Sequence, residues 1–152
     1  MATRVLLDTN ILIYSRDEAS PFFAPTVKAL QNLIINGVTP CIHRQVLREY
    51  VSVATKPAPR GLGANIGRAL QDVEEFEAFY LVLPEPDGAW TTWKQLLREH
   101  GVTGLRIHDA YIAAVMMTYD ISAILTVNTE DFRDFPAIRP IGPKAWNKVF
   151  EP

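Results

Sequence analysis

The chain has 152 residues, of which 48% are hydrophobic and 21% charged, with a formal net charge of −2. That balance excludes intrinsic disorder, and the slight acidity excludes the broad basic face of a protein that grips nucleic acid by bulk charge. A single cysteine, Cys41, excludes an internal disulfide or a cysteine-built metal site; it reads as a small core residue in a protein of the reducing cytoplasm.

The length suits one domain over residues 1–152, enough to bury roughly two thirds of the surface that the unfolded chain exposes. No basic-then-apolar leader opens the sequence, because Asp8 and Asn10 interrupt the only apolar run there. No apolar stretch approaches the roughly 20 residues of a membrane span.

Val5-Leu6-Leu7-Asp8-Thr9-Asn10 is a short aliphatic run that stops on a carboxylate. It predicts a buried central strand that delivers Asp8 to the rim of a sheet, where open α/β folds place their ligands. Ile11 to Tyr14 is a short helix or turn. Ser20-Pro21 supplies a cap and a first-turn proline for a helix whose apolar face is Val27, Leu30, Leu33 and Ile34, closed by Gly37. Val38 to Ile42 is a second strand, with Pro40 expected at an edge or near the strand end.

From His43 the spacing is helical, and Val46, Tyr50 and Val53 form one stripe. Glu49 falls inside it, and a carboxylate aimed with an apolar face is costly unless something pairs with it. Lys56 to Gly63 carries two prolines and two glycines and reads as a plain connector, or a flap beside the site. Ile66, Leu70, Val73 and Phe76 or Glu77 mark an amphipathic helix, and Tyr80 to Leu83 a third strand ended by Pro84. Trp90, Trp93 and Leu97 predict a helix reaching His100-Gly101, its tryptophans read as packing residues, with a protein interface as the alternative.

Leu105 to His108 is expected as a loop or turn, after which Asp109 opens an apolar helix through Ile112, Ala113, Met116 and Met117. Ala123 to Thr126 repeats the logic of the opening, an aliphatic run stopping on a hydroxyl, followed by Asn128, Glu130, Asp131 and Phe132. Ile138 to Ile141 is the last strand candidate. Strands alternating with helices predict an α/β three-layer sandwich, a mostly parallel sheet of about four to five strands flanked by helices.

Asp8, Glu49, Asp109 and Asp131 lie 41, 60 and 22 residues apart on four different elements. Singly each has a plainer reading: Asp109 as a helix-start carboxylate, Asp131 as a solvated loop acid, Glu49 as the partner of Arg44 or Arg48. Jointly they are harder to dismiss, because strand C-termini and the N-termini of the following helices share one edge of a parallel sheet. Two anions 4 Å apart repel by about 4 kcal/mol at an effective dielectric of 20, so such a cluster calls for cations. Oxygen-only ligands select magnesium or manganese over zinc. One or two such ions activate water for phosphodiester displacement, which points to a nuclease.

The same residues resemble the PIN domain family. Val5 to Asn10 is similar to its opening motif, Glu49 in Gln45-Val46-Leu47-Arg48-Glu49-Tyr50 to its second acid, and His108-Asp109-Ala110-Tyr111 to the segment carrying the third. Thr126-Val127-Asn128-Thr129-Glu130-Asp131-Phe132 is similar to the closing motif, with Asn128 where many members carry a fourth Asp. Single-domain length and the N-terminal motif make the chain most similar to the VapC-type toxins of bacterial toxin–antitoxin pairs. The resemblance implies a magnesium-dependent endoribonuclease acting on RNA, a homodimer, and an antitoxin that covers the active-site groove.

On this reading Asp8 and Asp109 ligate the main metal, and Glu49 orients the attacking water or binds a second ion. Asp131 adds the fourth charge, and Asn10, Thr126 and Asn128 support the others. Arg4 and Arg60, with Arg16, Lys56 and Arg106, are candidate phosphate contacts, and His108 is expected to cap or support the helix of Asp109 more than to touch substrate. Two alternatives stand beside it. One is a non-catalytic PIN-like protein-interaction module; the other is an aspartyl-phosphate phosphohydrolase using Asp8, for which Asn10 stands where a second acid is wanted.

Overall fold

The protein is described here by a computed structural model over residues 3–149. Among these residues five strands form one sheet: β1 (Thr3–Leu7), β2 (Val38–His43), β3 (Leu81–Leu83), β4 (Ala123–Leu125) and β5 (Arg139–Ile141). Their order is β3-β2-β1-β4-β5, and every pairing is parallel. Helices α1 (Thr9–Tyr14), α2 (Phe23–Ile35), α3 (Arg44–Ala54), α4 (Ile66–Phe79), α5 (Ala89–His100), α6 (Arg106–Thr118) and α7 (Pro143–Val149) flank the sheet. The expected α/β architecture with a parallel sheet is therefore present.

β1 sits in the middle, which is why Val5, Leu6 and Leu7 are all buried and why the run is aliphatic without alternation. The chain builds outward from β1 to β2 and β3, then returns to the other side of β1 for β4 and β5. The order thus reverses between β1 and β4, and the crevice beyond their C-terminal ends is where such sheets bind ligands. Leu7 pairs with Leu125, so the next residues out, Asp8 and Thr126, face each other across that crevice.

Several local expectations need correction. Pro40 lies inside an internal strand, opposite Val5; the ladder to β3 starts only at Cys41, so one flank of Pro40 has no strand beside it. Ser20 and Pro21 form a turn ahead of α2 instead of its first turn, with the Ser20 Oγ accepting from the Phe22 N–H at 3.1 Å. The apolar faces of α2 and α4 are rotated from the expected ones: Ile34, Ile66 and Leu70 are exposed, while Thr26, Ala29, Leu30 and Leu33 face inward on α2 and Ala69, Asp72 and Phe76 on α4. α6 begins at Arg106, so Asp109 is in its first turn but does not open it. Trp93 packs, donating from Nε1 to the Ile107 carbonyl at 2.8 Å, whereas Trp90 is 61% exposed. Helix α7 was not expected; Gly142-Pro143, a proline at a helix start, is the signal for it. Cys41 is fully buried on β2, and burial pushes its thiol up to about 11.

The inward face of α4 carries a carboxylate that the periodicity alone did not single out. Asp72 is 2% exposed, yet it accepts from the Tyr50 hydroxyl at 2.6 Å, from Arg16 Nη1 at 3.2 Å and from Arg68 Nε at 3.1 Å. Arg16 also pairs with Glu75 at 2.6 Å and lies over the Phe76 ring, 4.7 Å from its centroid. This cluster ties the end of α1, α3 and α4 together, because an ion taken out of water stays only where partners replace its hydration. Asp72→Ala leaves the buried Tyr50 hydroxyl without its acceptor, while Arg16 keeps Glu75 and Arg68 keeps water, and should lower unfolding free energy in urea by about 1 to 3 kcal/mol; Tyr50→Phe should cost about 1.5 to 3 kcal/mol, the worth of one hydrogen bond to a charged group.

Candidate active site

At the switch point the first turn of α1 grows directly out of β1. Asp8 is the N-cap of α1, and its extended backbone lets Oδ1 accept from the Thr9 N–H at 2.8 Å. Its other oxygen, Oδ2, accepts from the Thr126 hydroxyl at 2.8 Å and from Asn10 Nδ2 at 3.1 Å. Asn10 Nδ2 also donates to Thr126 Oγ1 at 3.1 Å, and its side-chain Oδ1 accepts from the Val127 N–H at 3.0 Å. The Thr126 hydroxyl in turn accepts from the Asn128 N–H at 3.0 Å. Asn10, Thr126 and the 126–128 backbone therefore form one polar clasp around a carboxylate that is 9% exposed.

Glu49 reaches the same place from α3. Thr9 Oγ1 donates to Glu49 Oε2 at 2.9 Å, and Gln45 Nε2 donates to Glu49 Oε1 at 3.1 Å and to the His108 carbonyl at 3.2 Å. The arginine partners considered for Glu49, Arg44 and Arg48, both point to solvent. Asp109 comes from the first turn of α6, and Asp131 from a single 3-10 turn, Thr129–Phe132, whose Asp131 N–H donates to the Asn128 carbonyl at 3.1 Å.

Asp8, Glu49, Asp109 and Asp131 all line one cleft of about 420 Å³, together with Asn10 and Asn128. Arg60 and Gly61 of the 56–63 loop form part of its wall, so the segment read as a plain connector, or a flap beside the site, does border the site. Gly61 has no alternative there: a Cβ would stand 2.0 Å from the Val53 carbonyl oxygen, and its N–H donates to the Pro57 carbonyl at 3.1 Å. The remaining candidate cations are elsewhere. Arg4 is at the opposite end of β1 from Asp8, Arg16 is engaged by Asp72 and Glu75, and Arg106 pairs with Asp134. Lys56 is exposed on the loop outside the cleft lining, and the His108 side chain is exposed while its carbonyl takes the Gln45 bond.

The electrostatics follow from this arrangement. Burial first, then Asp131, Asp8 and Glu49, push the Asp109 carboxyl up to about 7, and Arg106 opposes this only in part. Burial also raises Asp8, against the lowering influence of its bonds to Thr126 and Thr9, with Glu49 and Asp131 adding to the rise. Among the described residues no three acidic, histidine or cysteine side chains close into a protein-only metal cage. The donor set nevertheless fits a hard divalent ion of the magnesium kind, which keeps several waters and takes only one or two carboxylates. Thr9 and Gln45 are the functional candidates that sequence reasoning missed; adjacency of Thr9 to Asp8 and the i, i+4 spacing of Gln45 and Glu49 were the available signals.

Among solved structures, chains of toxin–antitoxin complexes share this architecture. A chain of VapBC2 from Rickettsia felis, bound to a DNA fragment from its promoter, aligns with a TM-score of 0.70 at 18% identity, over 92% of this chain and 98% of that one. A chain of DNA-bound VapBC from Salmonella typhimurium gives 0.68 at 23% identity, over 94% and 99%. VapBC-1 from nontypeable Haemophilus influenzae gives 0.68 at 16% identity, over 93% and 99%. At such identities the likeness speaks for the fold. No curated protein matches the chain in sequence. The PIN domain model matches residues 5–138, a span that takes in β1, Asp8, Glu49, Asp109 and Asp131, and the chain belongs to the PIN domain family.

Proposed function

We propose that this chain is a divalent-metal-dependent endoribonuclease of the VapC type, the toxin of a type II toxin–antitoxin pair. The observation that carries the reading is the cleft itself: four carboxylates from four elements meet there, and the hydrogen bonds that Asp8 and Glu49 accept come from neutral donors. The family membership and the fold shared with VapBC chains support the same assignment. An antitoxin segment over the mouth of the cleft and a homodimer belong to this proposal, as does RNA as the substrate.

In the proposed division of labour Asp8 and Asp109 hold the main ion, with Asp131 contributing charge from the facing turn. Magnesium or manganese in such a site lowers the pKa of a water and offsets charge building on phosphate oxygens. Glu49, held by Thr9 and Gln45, orients the attacking water and takes up its proton, or helps to hold a second ion. Asn128 offers an amide where a charge would otherwise stand. Arg60 is the cation of the cleft wall and meets the phosphate backbone. The phosphohydrolase alternative loses support because the Asn10 amide is committed to Asp8, Thr126 and Val127.

Purified protein should cut single-stranded RNA with magnesium and stop in chelator, and Asp8→Ala or Asp109→Ala should cut at least about a hundredfold more slowly while remaining folded by circular dichroism. Equal cutting by all three proteins would assign the activity to a contaminant. Arg60→Ala should weaken RNA binding and flatten the plot of log affinity against log salt by roughly 0.7, the signature of one lost phosphate contact on a single strand.

The raised Asp109 carboxyl has a consequence for stability. A group whose pKa is higher folded than unfolded contributes stability below its ordinary value, and that contribution is lost as pH rises through the folded value, here from 3.8 to about 7. Metal-free protein should therefore melt lower at about pH 8 than at about pH 5.5, with a smaller difference in Asp109→Asn, and magnesium should narrow the gap by binding the ionised cleft. A melting temperature that climbs over the same window in chelator would contradict the assignment.

A further inference from the structure

We propose that Gln45 is a positioning residue whose side-chain amide fixes the spacing between Glu49 and Asp109 and so sets how tightly the cleft holds a divalent cation. The inference rests on the reading of the cleft as a metal-dependent nuclease site. Gln45 is 8% exposed, and its Nε2 makes two bonds at once, to Glu49 Oε1 at 3.1 Å and to the His108 carbonyl at 3.2 Å. One primary amide thus joins the carboxylate of α3 to the first turn of α6, at the residue that precedes Asp109.

The amide has a fixed base. The backbone N–H of Gln45 donates to Nδ1 of the N-cap residue His43 at 3.3 Å, which leaves His43 Nε2 to donate to Glu85 Oε2 at 2.9 Å. The start of α3 is therefore held before the side chain of Gln45 reaches out. On the far side of the Glu49 carboxylate, Thr9 Oγ1 donates to Oε2 at 2.9 Å. Each Glu49 oxygen is pinned by one protein donor and keeps lone-pair capacity for another ligand.

The chemistry of the pin matters as much as its position. A guanidinium or ammonium in place of Gln45 would hold Glu49 equally well but would cancel charge that an incoming cation needs. A primary amide supplies two N–H donors and no charge, so it can brace two acceptors without lowering the field between them. Such outer partners of metal-binding carboxylates orient the ligand, and their loss typically weakens metal binding by about 10- to 100-fold.

The test is direct binding of manganese to metal-free protein, followed by electron paramagnetic resonance, with thermal melting alongside. Gln45→Met keeps the length and removes both donors; Gln45→Asn keeps the amide but is too short to span, and serves if the first variant does not fold. Manganese should bind either variant roughly tenfold more weakly than wild type, with the melting temperature of the metal-free protein little changed. In a Glu49→Gln background the same substitution should cause little further loss, because Gln45 acts through Glu49. Cleavage by the Gln45 variants should recover at high manganese. Wild-type affinity in both variants, or an equal loss with Glu49 already replaced, would overturn the role of Gln45 alone; failure of the wild type to bind manganese would overturn the metal-site reading with it.

Discussion

The structure depends on gathering carboxylates at the one place where a parallel sheet opens. Asp8 leaves the central strand, Asp109 sits in the first turn of α6, Asp131 sits on a short turn and Glu49 reaches in from α3, and all four border the same cleft. Burial first, and then the like charges of Asp131, Asp8 and Glu49, raise the Asp109 carboxyl to about 7, which registers the cost of the gathering. What keeps the arrangement intact is a set of neutral donors. Asn10, Thr126, Thr9 and Gln45 satisfy carboxylate oxygens without neutralising them.

Asp72 supplies the contrast within the same molecule. It is the more buried acid, yet Arg16, Arg68 and Tyr50 surround it, so its charge is consumed in joining α1, α3 and α4. Both kinds of site hold a buried carboxylate by hydrogen bonds. The difference is whether the partners carry opposite charge: where they do, the acid is scaffold, and where they do not, its charge remains available to a ligand. Because Arg16 is spent on Asp72 and Glu75, the cleft keeps its excess negative charge.

The elements nearest the site were also the most legible in the sequence. The unalternated Val5 to Leu7 run could only be an interior strand, and the stop at Asp8 marked its C-terminal end; the same logic located Thr126. Glu49 was visible because it broke an apolar stripe. Asp72 broke one too, but its stripe was misplaced by the surface residues Ile66 and Leu70, so periodicity concealed it. Arg16 and Arg106 show the limit for cations: a long side chain finds its partner in three dimensions, and nothing in its neighbours along the chain says which acid that is. Gln45 was hidden for a related reason, since one of its two acceptors is a main-chain carbonyl on another helix.

The outer strands bear on how the molecule meets other chains. β3 and β5 each span three residues; Pro84 follows the first directly and Pro140 occupies the middle of the second. Borders so brief, and short of N–H groups, give a neighbouring backbone little to zip onto. Assembly is thereby left to helical surfaces and loops, where recognition is written in side chains and a wrong partner is rejected by shape and charge. A fold blunted in this way resists edge-to-edge pairing between copies of itself.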